Sequence, residues 1–274
     1  MKNHQKVRVH QVFGRFSIAL PTSRRDKTVE VRTIENAFGK ITIHMQRPLI
    51  ARDMKVFIAL ATYMHENPQK VSEIMIGDEP LYGVEIDLYH FVSEYMHKAP
   101  SKLVYDTVVE SFTILSQTRV EGEYIVDGEH RTVGTYILPY VKHSVRKDSK
   151  GKKEKNTIHL LVFPWAVHML TKPYPYTLLI ENSIVQQTSS SVATLLCIFL
   201  MTQATATSYS KKFLIEQLGL HALVENDHVD RELKRAFSEL QSIGYIKSWY
   251  IEKRKDDTYY IFSRTASLSK PKTK

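Results

Sequence analysis

Residues 229–240 read Val229-Asp-Arg-Glu-Leu-Lys-Arg-Ala-Phe-Ser-Glu-Leu240 and carry a clear amphipathic pattern. The apolar residues that recur at helical spacing, and would share one stripe, are Leu233, Phe237 and Leu240. Gly244 follows the last of them, and glycine is typical of the position after a helix end. We therefore predict an amphipathic helix over residues 227–243.

Two more helices are predicted before this one and two strands after it. Residues 192–201 and 210–218 have helical character, and residues 245–252 and 258–263 resemble strands. The charged turn Lys253-Arg-Lys-Asp-Asp257 joins the two strands into a hairpin. Three helices followed by a hairpin wing are the order of a winged-helix domain.

The third helix of such a domain enters the DNA major groove, where base edges carry a distinct pattern of donors and acceptors. Polar and charged residues outside the apolar stripe are therefore candidates for DNA contact. The candidates on this helix and its wing are Asp230, Arg231, Lys234, Arg235, Ser238, Lys253, Arg254 and Lys255. A solvated basic face is the alternative for the helix alone, and the basic wing favours DNA.

The first half of the chain repeats this order behind a small β layer. Alternating apolar and polar residues between positions 6 and 47 predict short strands, and after Pro48 a helical period runs to Asn67-Pro68. The later predicted elements are a strand at 82–87, a helical segment at 88–96, a turn at 97–101, a helix at 102–116, a hairpin turn at Asp127-Gly128 and strand runs at 132–146 and 157–163.

The proline-rich stretch Lys172-Pro-Tyr-Pro-Tyr176 predicts a connection between two halves, with a short helix at 165–170 before it. We expect an α+β protein with tandem winged-helix domains. Residues 1–163 would form the N-terminal domain, with its β layer and a long basic wing, and residues 164–274 the C-terminal domain.

The N-terminal domain has weaker candidates for DNA contact. Three lie at the start of the predicted helix 102–116: Ser101, Lys102 and Tyr105. Those of the basic wing are Lys142, Arg146, Lys147, Lys150, Lys152 and Lys153. Residues 142–155 hold seven Lys and Arg against two Asp and Glu, a net charge of +5, which suits contact with phosphates. A solubilising loop is the alternative.

The composition agrees with a basic globular protein. Its 274 residues carry a formal net charge of +9, which favours polyanionic partners. Cys197 is the single cysteine and lies in an apolar run, which indicates a reducing compartment. No apolar run is long enough to span a bilayer, and residues 1–10 lack the apolar core of a signal peptide, so we expect a cytoplasmic protein.

No convincing catalytic, cofactor or metal motif is found. Gly39-Lys40 and Gly151-Lys152 lack the preceding glycine of a phosphate-binding loop. Glu85 and Asp87 share one side of a possible strand and could hold a divalent ion, but a solvated strand edge is the preferred interpretation. We expect no cofactor, no metal and no enzymatic activity.

Three segments of the second half resemble the iteron-binding plasmid replication initiators of the Rep type. They are Tyr176-Thr-Leu-Leu-Ile-Glu-Asn-Ser-Ile-Val-Gln-Gln-Thr-Ser-Ser-Ser-Val-Ala-Thr-Leu-Leu-Cys-Ile-Phe-Leu200, Phe213-Leu-Ile-Glu-Gln-Leu-Gly219 and the helix at 229–240. The first half is compatible with the N-terminal winged helix of that family. Two features of this chain depart from the family pattern. They are the larger β layer before Pro48 and the basic excursion at 147–155.

The resemblance implies that both domains bind double-stranded DNA at repeated origin sites, in neighbouring major grooves. It also implies autorepression, a homodimer through the N-terminal domain, recruitment of host helicase and primase, and no covalent chemistry. Two alternatives remain open: a winged-helix transcription regulator without a role in replication, and a primase or nicking enzyme that uses the N-terminal β layer.

Overall fold

The computed structural model describes residues 7–10, 13, 18–22, 29–36, 39–77, 79–126, 129–147, 154–163, 166, 177–203, 205–221, 228–255 and 257–265. Several predictions lie outside these residues: the turn at Asp127-Gly128, most of the short helix at 165–170, the connection at 172–176, and Lys150, Lys152 and Lys153 at the tip of the basic wing.

The first half confirms the predicted helices and adds strands. Its elements, in chain order, are β1 (Val7–His10), β2 (Glu30–Asn36), β3 (Gly39–Met45), α1 (Ala51–Glu66), a 3-10 turn (Pro68–Lys70), β4 (Val71–Ile76), β5 (Glu79–Asp87), α2 (Leu88–His90) with a π-helical turn (Phe91–Tyr95), α3 (Lys102–Ser116), β6 (Thr118–Val126), β7 (Glu129–Tyr136), β8 (Tyr140–Lys147) and β9 (Glu154–Val162).

The second half has the predicted helices and wing. Its elements are β10 (Thr177–Ile180), α4 (Asn182–Gln187), α5 (Ser191–Thr202), β11 (Ser208–Ser210), α6 (Lys211–Leu218), α7 (Val229–Ser242), β12 (Ile246–Arg254) and β13 (Asp257–Arg264). Ser190 and Ser210 cap α5 and α6 by accepting hydrogen bonds from the backbone N–H three residues on, and Gly219 ends α6 in the left-handed conformation.

The predicted β layer is divided between two sheets. Strands β2 and β3 pair with β6 and β7 in a four-stranded antiparallel sheet, but β1 pairs with β10 of the second half. Gly122 of β6 has a φ of +141° and lies against the backbone of Lys40 in β3, where a Cβ atom would clash. This close approach explains why a glycine interrupts the strand pattern.

A second four-stranded sheet, in the order β4-β5-β9-β8, carries the predicted basic wing. The strand run expected at 132–146 is in fact two strands, since β7 ends at Tyr136 and β8 begins at Tyr140 in the other sheet. Strand β4 was not predicted. Its residues 72–75 are all exposed, so they lack the alternation of a half-buried strand.

Helix α1 is the centre of the fold. It is buried along most of its length and packs against α3 of the first half and against α4 and α5 of the second. The Asp53 carboxylate accepts a hydrogen bond from the Ile50 N–H at 2.9 Å, which holds the first turn of this buried helix. The apolar residues of both halves form one continuous core around it.

Within the residues that the structure describes, no helix has both the length and the apolar character needed to span a membrane.

Candidate nucleic-acid interface

Helix α7 rests on the C-terminal hairpin through its apolar stripe. Leu233, Phe237 and Leu240 are fully buried, as the helical spacing predicts. The Phe237 ring stacks on Tyr260 of β13 with centroids 5.1 Å apart, and lies 5.6 Å from the Trp249 ring of β12. These aromatic contacts fix the helix on the hairpin, so its opposite face points away from the core.

Two of the three acidic residues of α7 are engaged in contacts within the protein. The Asp230 carboxylate lies 2.9 Å from the Lys211 ammonium of α6 and accepts a hydrogen bond from the Tyr260 hydroxyl at 3.3 Å. The Glu239 carboxylate accepts hydrogen bonds from the backbone N–H groups of Ser189 and Ser190. Burial opposes ionisation of Glu239, but these hydrogen bonds outweigh it, so its pKa is lower than usual.

The third acidic residue, Glu232, is largely covered. Its side chain is 22% exposed, and its carboxylate lies 3.8 Å from the guanidinium of Arg231, which is itself 67% exposed. The contact is long and adjacent in sequence, so it leaves Arg231 accessible to a partner.

The outward face of α7 is therefore cationic, although the helix as a whole has three acidic and three basic residues and no net charge. The exposed residues on this face are Arg231, Lys234, Arg235, Ser238, Gln241 and Ser242. Lys234 and Arg235 make no ion pair with any described residue. Four of the five predicted contact residues of this helix are thus exposed, and Asp230 is the one held in an internal network.

The C-terminal wing presents Lys253, Arg254 and Lys255 at its exposed tip. The Arg254 guanidinium makes two hydrogen bonds to Glu252, at 3.1 and 3.2 Å, and lies 4.2 Å from the centre of the Tyr259 ring. Donation from Arg254 lowers the pKa of Glu252. Arg254 is therefore partly neutralised and held in one orientation, whereas the two lysines are exposed cations.

Helix α3, the counterpart in the first half, has a different surface. Ser101 caps the helix, since its hydroxyl accepts a hydrogen bond from the Val104 N–H at 3.3 Å, and Tyr105 is partly buried. Lys102 is exposed. Glu110 lies within 4 Å of both Arg47, at 3.5 Å, and Arg52, at 2.9 Å, so these cations are bound within the protein.

Strands β8 and β9 form the predicted N-terminal wing. Lys142 and Arg146 are exposed on β8, and Lys147 is the last residue of that strand. Lys155 lies 3.8 Å from Glu85 of the neighbouring strand, an exposed pair that contributes little to stability. The described part of this wing thus brings exposed cations to one hairpin.

Two exposed residues near these surfaces were not predicted. Leu103, beside Lys102 at the start of α3, is 77% exposed, and Tyr250 on β12 is 59% exposed. Both have apolar side chains that a sequence pattern assigns to a core. Lys211 was also missed, since its partner Asp230 lies on another helix.

Glu85 and Asp87, the two carboxylates considered for a divalent ion, both make contacts within the protein. The Asp87 carboxylate accepts a hydrogen bond from the His90 N–H at 3.1 Å and so caps α2, and Glu85 lies near Lys155 and His159. The described residues contain no group of three His, Cys, Asp or Glu side chains that could hold a metal ion.

Solved structures with the same fold include domains of RctB and the Pi initiator protein. Domains 2 and 3 of RctB, as a selenomethionine derivative, superpose with a TM-score of 0.61 at 13% identity, over 92% of this chain and 97% of that chain. A second structure of these RctB domains gives a TM-score of 0.58 at 12% identity, over 92% and 96%.

The Pi initiator protein, in complex with iteron DNA, superposes with a TM-score of 0.57 at 11% identity, over 97% of this chain and 100% of that chain. No protein-family model and no curated protein sequence matches the chain. The chain is an α+β protein with the tandem winged-helix fold of the Rep-type, iteron-binding replication initiators.

Proposed function

We propose that this chain binds double-stranded DNA in a sequence-specific manner at repeated origin sites and thereby initiates plasmid replication. The observation that carries the proposal is the distribution of charge on α7. Its acidic residues are covered or bound within the protein, and its outward face presents Arg231, Lys234 and Arg235. The exposed face of this helix is cationic although the helix as a whole is neutral, and a cationic helix face suits the polyanionic major groove.

The likeness to the Pi initiator protein supports this proposal. That protein was solved with iteron DNA, and the superposition covers 97% of this chain and 100% of that chain. By this analogy, the units at residues 1–163 and 164–274 would occupy neighbouring major grooves of one repeat.

The contact residues would divide their work by chemistry. Arg231 and Arg235 suit a two-pronged contact to guanine O6 and N7, whereas Lys234 suits either guanine or phosphate. Ser238 would contact a base or a phosphate. Lys253, Arg254 and Lys255 on the wing would follow the backbone, and Asp230 would act indirectly, by orienting α7.

The N-terminal half would contribute mainly contacts to the backbone. Lys102 and the wing residues, among them Lys142, Arg146, Lys147, Lys150, Lys152 and Lys153, supply positive charge, and the Ser101 hydroxyl is occupied by its helix cap. Tyr105 is half-buried and would contribute chiefly to packing.

The same binding would let the protein repress its own promoter, as a homodimer formed through the N-terminal domain, and recruit host helicase and primase after origin opening. We propose that it acts by binding alone, without cofactor, metal or covalent chemistry, in the cytoplasm.

Selection of duplexes from a random pool tests the first step. We expect one enriched motif that spans about two helical turns, because two modules would each occupy one major groove. A plasmid that carries the coding region and repeats of this motif should then replicate autonomously.

Other outcomes would favour other functions. Specific binding without replication would indicate a transcription regulator. Primer synthesis or strand cleavage, with Mg²⁺, nucleotides and single-stranded template, that survives mutation of Arg231 and Arg235 would indicate an enzyme instead.

A further inference from the structure

Hydrogen bonds from both halves of the molecule converge on the short segment between α4 and α5. This segment, residues 186–190, is called the joint below. It is contacted by α1 from the first half and by α7 from the second. These hydrogen bonds connect the helix with the cationic face to the first half, in addition to the continuous apolar core.

Lys55 makes the contact from α1. Its ammonium donates hydrogen bonds to the carbonyl oxygens of Gln186, at 3.4 Å, and of Thr188. The Gln186 side-chain amide donates in return to the Lys55 carbonyl at 2.9 Å. The amide of Asn182, one turn earlier in α4, donates to the Tyr95 carbonyl at 2.7 Å. The short helix α4 is thus bound to the first half at both of its ends.

Glu239 makes the contact from α7. Its carboxylate binds the N–H groups of Ser189 and Ser190, directly before α5, and Ser190 itself caps α5. The preceding residue of the joint is Thr188. Its hydroxyl forms a hydrogen bond of 2.8 Å with the hydroxyl of Thr194 in α5. Two charges of opposite sign therefore hold the peptide group between Thr188 and Ser189, Lys55 its carbonyl oxygen and Glu239 its N–H.

Neither side chain belongs to the cationic face of α7. Glu239 is partly buried and Lys55 is partly buried beneath the joint. A partly buried lysine loses hydration, which is costly unless its ammonium forms other hydrogen bonds. The carbonyl oxygens of the joint supply these bonds, so Lys55 is bound at one defined place.

We infer that Lys55 and Glu239 are positioning residues that hold the α7 helix at a fixed place relative to the N-terminal half, and thereby set the half-site spacing that the protein accepts in DNA. This inference rests on the proposed function for its DNA part. One inserted base pair moves the second half-site by about 3.4 Å along the duplex and rotates it by about 35°. A joint that keeps α7 in one orientation transmits such a mismatch as lost affinity, because both modules can no longer bind together.

The test compares Lys55→Met and Glu239→Ala with the wild-type chain on duplexes whose two half-sites stand at the native spacing or one or two base pairs off it. Lys98→Met is the matched control, because Lys98 is an exposed lysine close enough to act on Lys55 but makes none of the hydrogen bonds of the joint. Affinity for each isolated half-site is measured alongside.

We expect the wild-type chain and Lys98→Met to prefer the native spacing by about a hundredfold, and the two joint variants by about tenfold or less, with unchanged affinity for isolated half-sites. A joint variant that folds and keeps the full wild-type preference would overturn the inference. If Lys55→Met does not fold, Glu239→Ala alone decides the question.

A distance measurement tests the joint without DNA. Spin labels at Thr113→Cys on α3 and Ser242→Cys on α7 report on the two halves, and the buried Cys197 stays unlabelled. The distance distribution should be narrow in the wild-type background and broader in both joint variants. Equal widths would refute the joint. If the wild-type chain binds no duplex but the joint variants still show this broadening, the proposed function is refuted and the joint stands.

Discussion

The carboxylate of Asp230 on α7 lies 2.9 Å from the ammonium of Lys211 on α6, so this ion pair connects the two helices of the C-terminal helix-turn-helix. Asp230 also lies in the first turn of α7, where a negative charge interacts favourably with the helix dipole.

Asp230→Ala should therefore lower the free energy of unfolding by about 1 kcal/mol, since a partly exposed ion pair and a dipole interaction are both modest. Denaturant titration measures this change. Asp106→Ala is the control, because Asp106 is exposed on α3 and makes no ion pair with a described residue. An equal loss in both variants would show that Asp230 has no special structural role.

Arg231→Ala and Arg235→Ala should each weaken binding to the selected motif by about 1–3 kcal/mol and leave binding to random duplexes nearly unchanged, if both contact bases. Binding titrations on the two kinds of duplex at one salt concentration measure the difference. Lys40→Ala removes an exposed lysine of the first half, paired with Glu35, and should change neither affinity. Equal losses on motif and random DNA would assign the arginines to the backbone instead.

Removal of residues 150–155 should reduce affinity on all sequences alike. The segment contains four lysines and one glutamate, so up to three net charges are lost. Each phosphate contact that disappears should make the slope of log affinity against log salt shallower by about 0.9. Titrations over a range of salt concentrations give this slope. A selective loss on the motif would mean that the tip reads bases.

The sequence allowed the local features of the candidate site to be predicted. The stripe of Leu233, Phe237 and Leu240 follows from helical periodicity within α7, and the exposure of Arg231 and Arg235 follows from that stripe. Such patterns depend on neighbours within a few residues, which is why α5, α6, α7 and the C-terminal wing were predicted, although the short helix α4 was not.

Features that depend on distant partners could not be predicted in this way. The neutralisation of Asp230 requires Lys211, and that of Glu239 requires amides about fifty residues away. The pairing of β1 with β10 joins the two halves of the chain, and short alternating runs do not specify a partner strand. The cationic face of α7 is therefore a tertiary property, which the neutral sequence of the helix conceals.

Lys55 gives the joint a dependence on pH. The pKa of Lys55 is lowered to about 8 from its usual 10.5, chiefly by burial and then by the nearby Lys98, while Glu239 and the thiol of Cys197 act in the opposite direction. Burial also raises the pKa of Cys197, so that thiol stays protonated throughout this range.

Between pH 8 and 10.5 the unfolded chain holds a proton on Lys55 that the folded chain has released, so the free energy of unfolding rises with pH in this window. From pH 7.5 to 9.5 the wild-type chain should gain on the order of 1 kcal/mol relative to Lys55→Met, which has no group to titrate there. Denaturant titrations of both proteins at the two pH values measure the gain.

The control variant Lys98→Met should still show the rise in the free energy of unfolding. The rise should begin at higher pH, because removal of a neighbouring cation raises the pKa of Lys55. Parallel pH profiles for the wild-type chain and Lys55→Met would mean that the ammonium is hydrated and that α1 does not hold the joint through it.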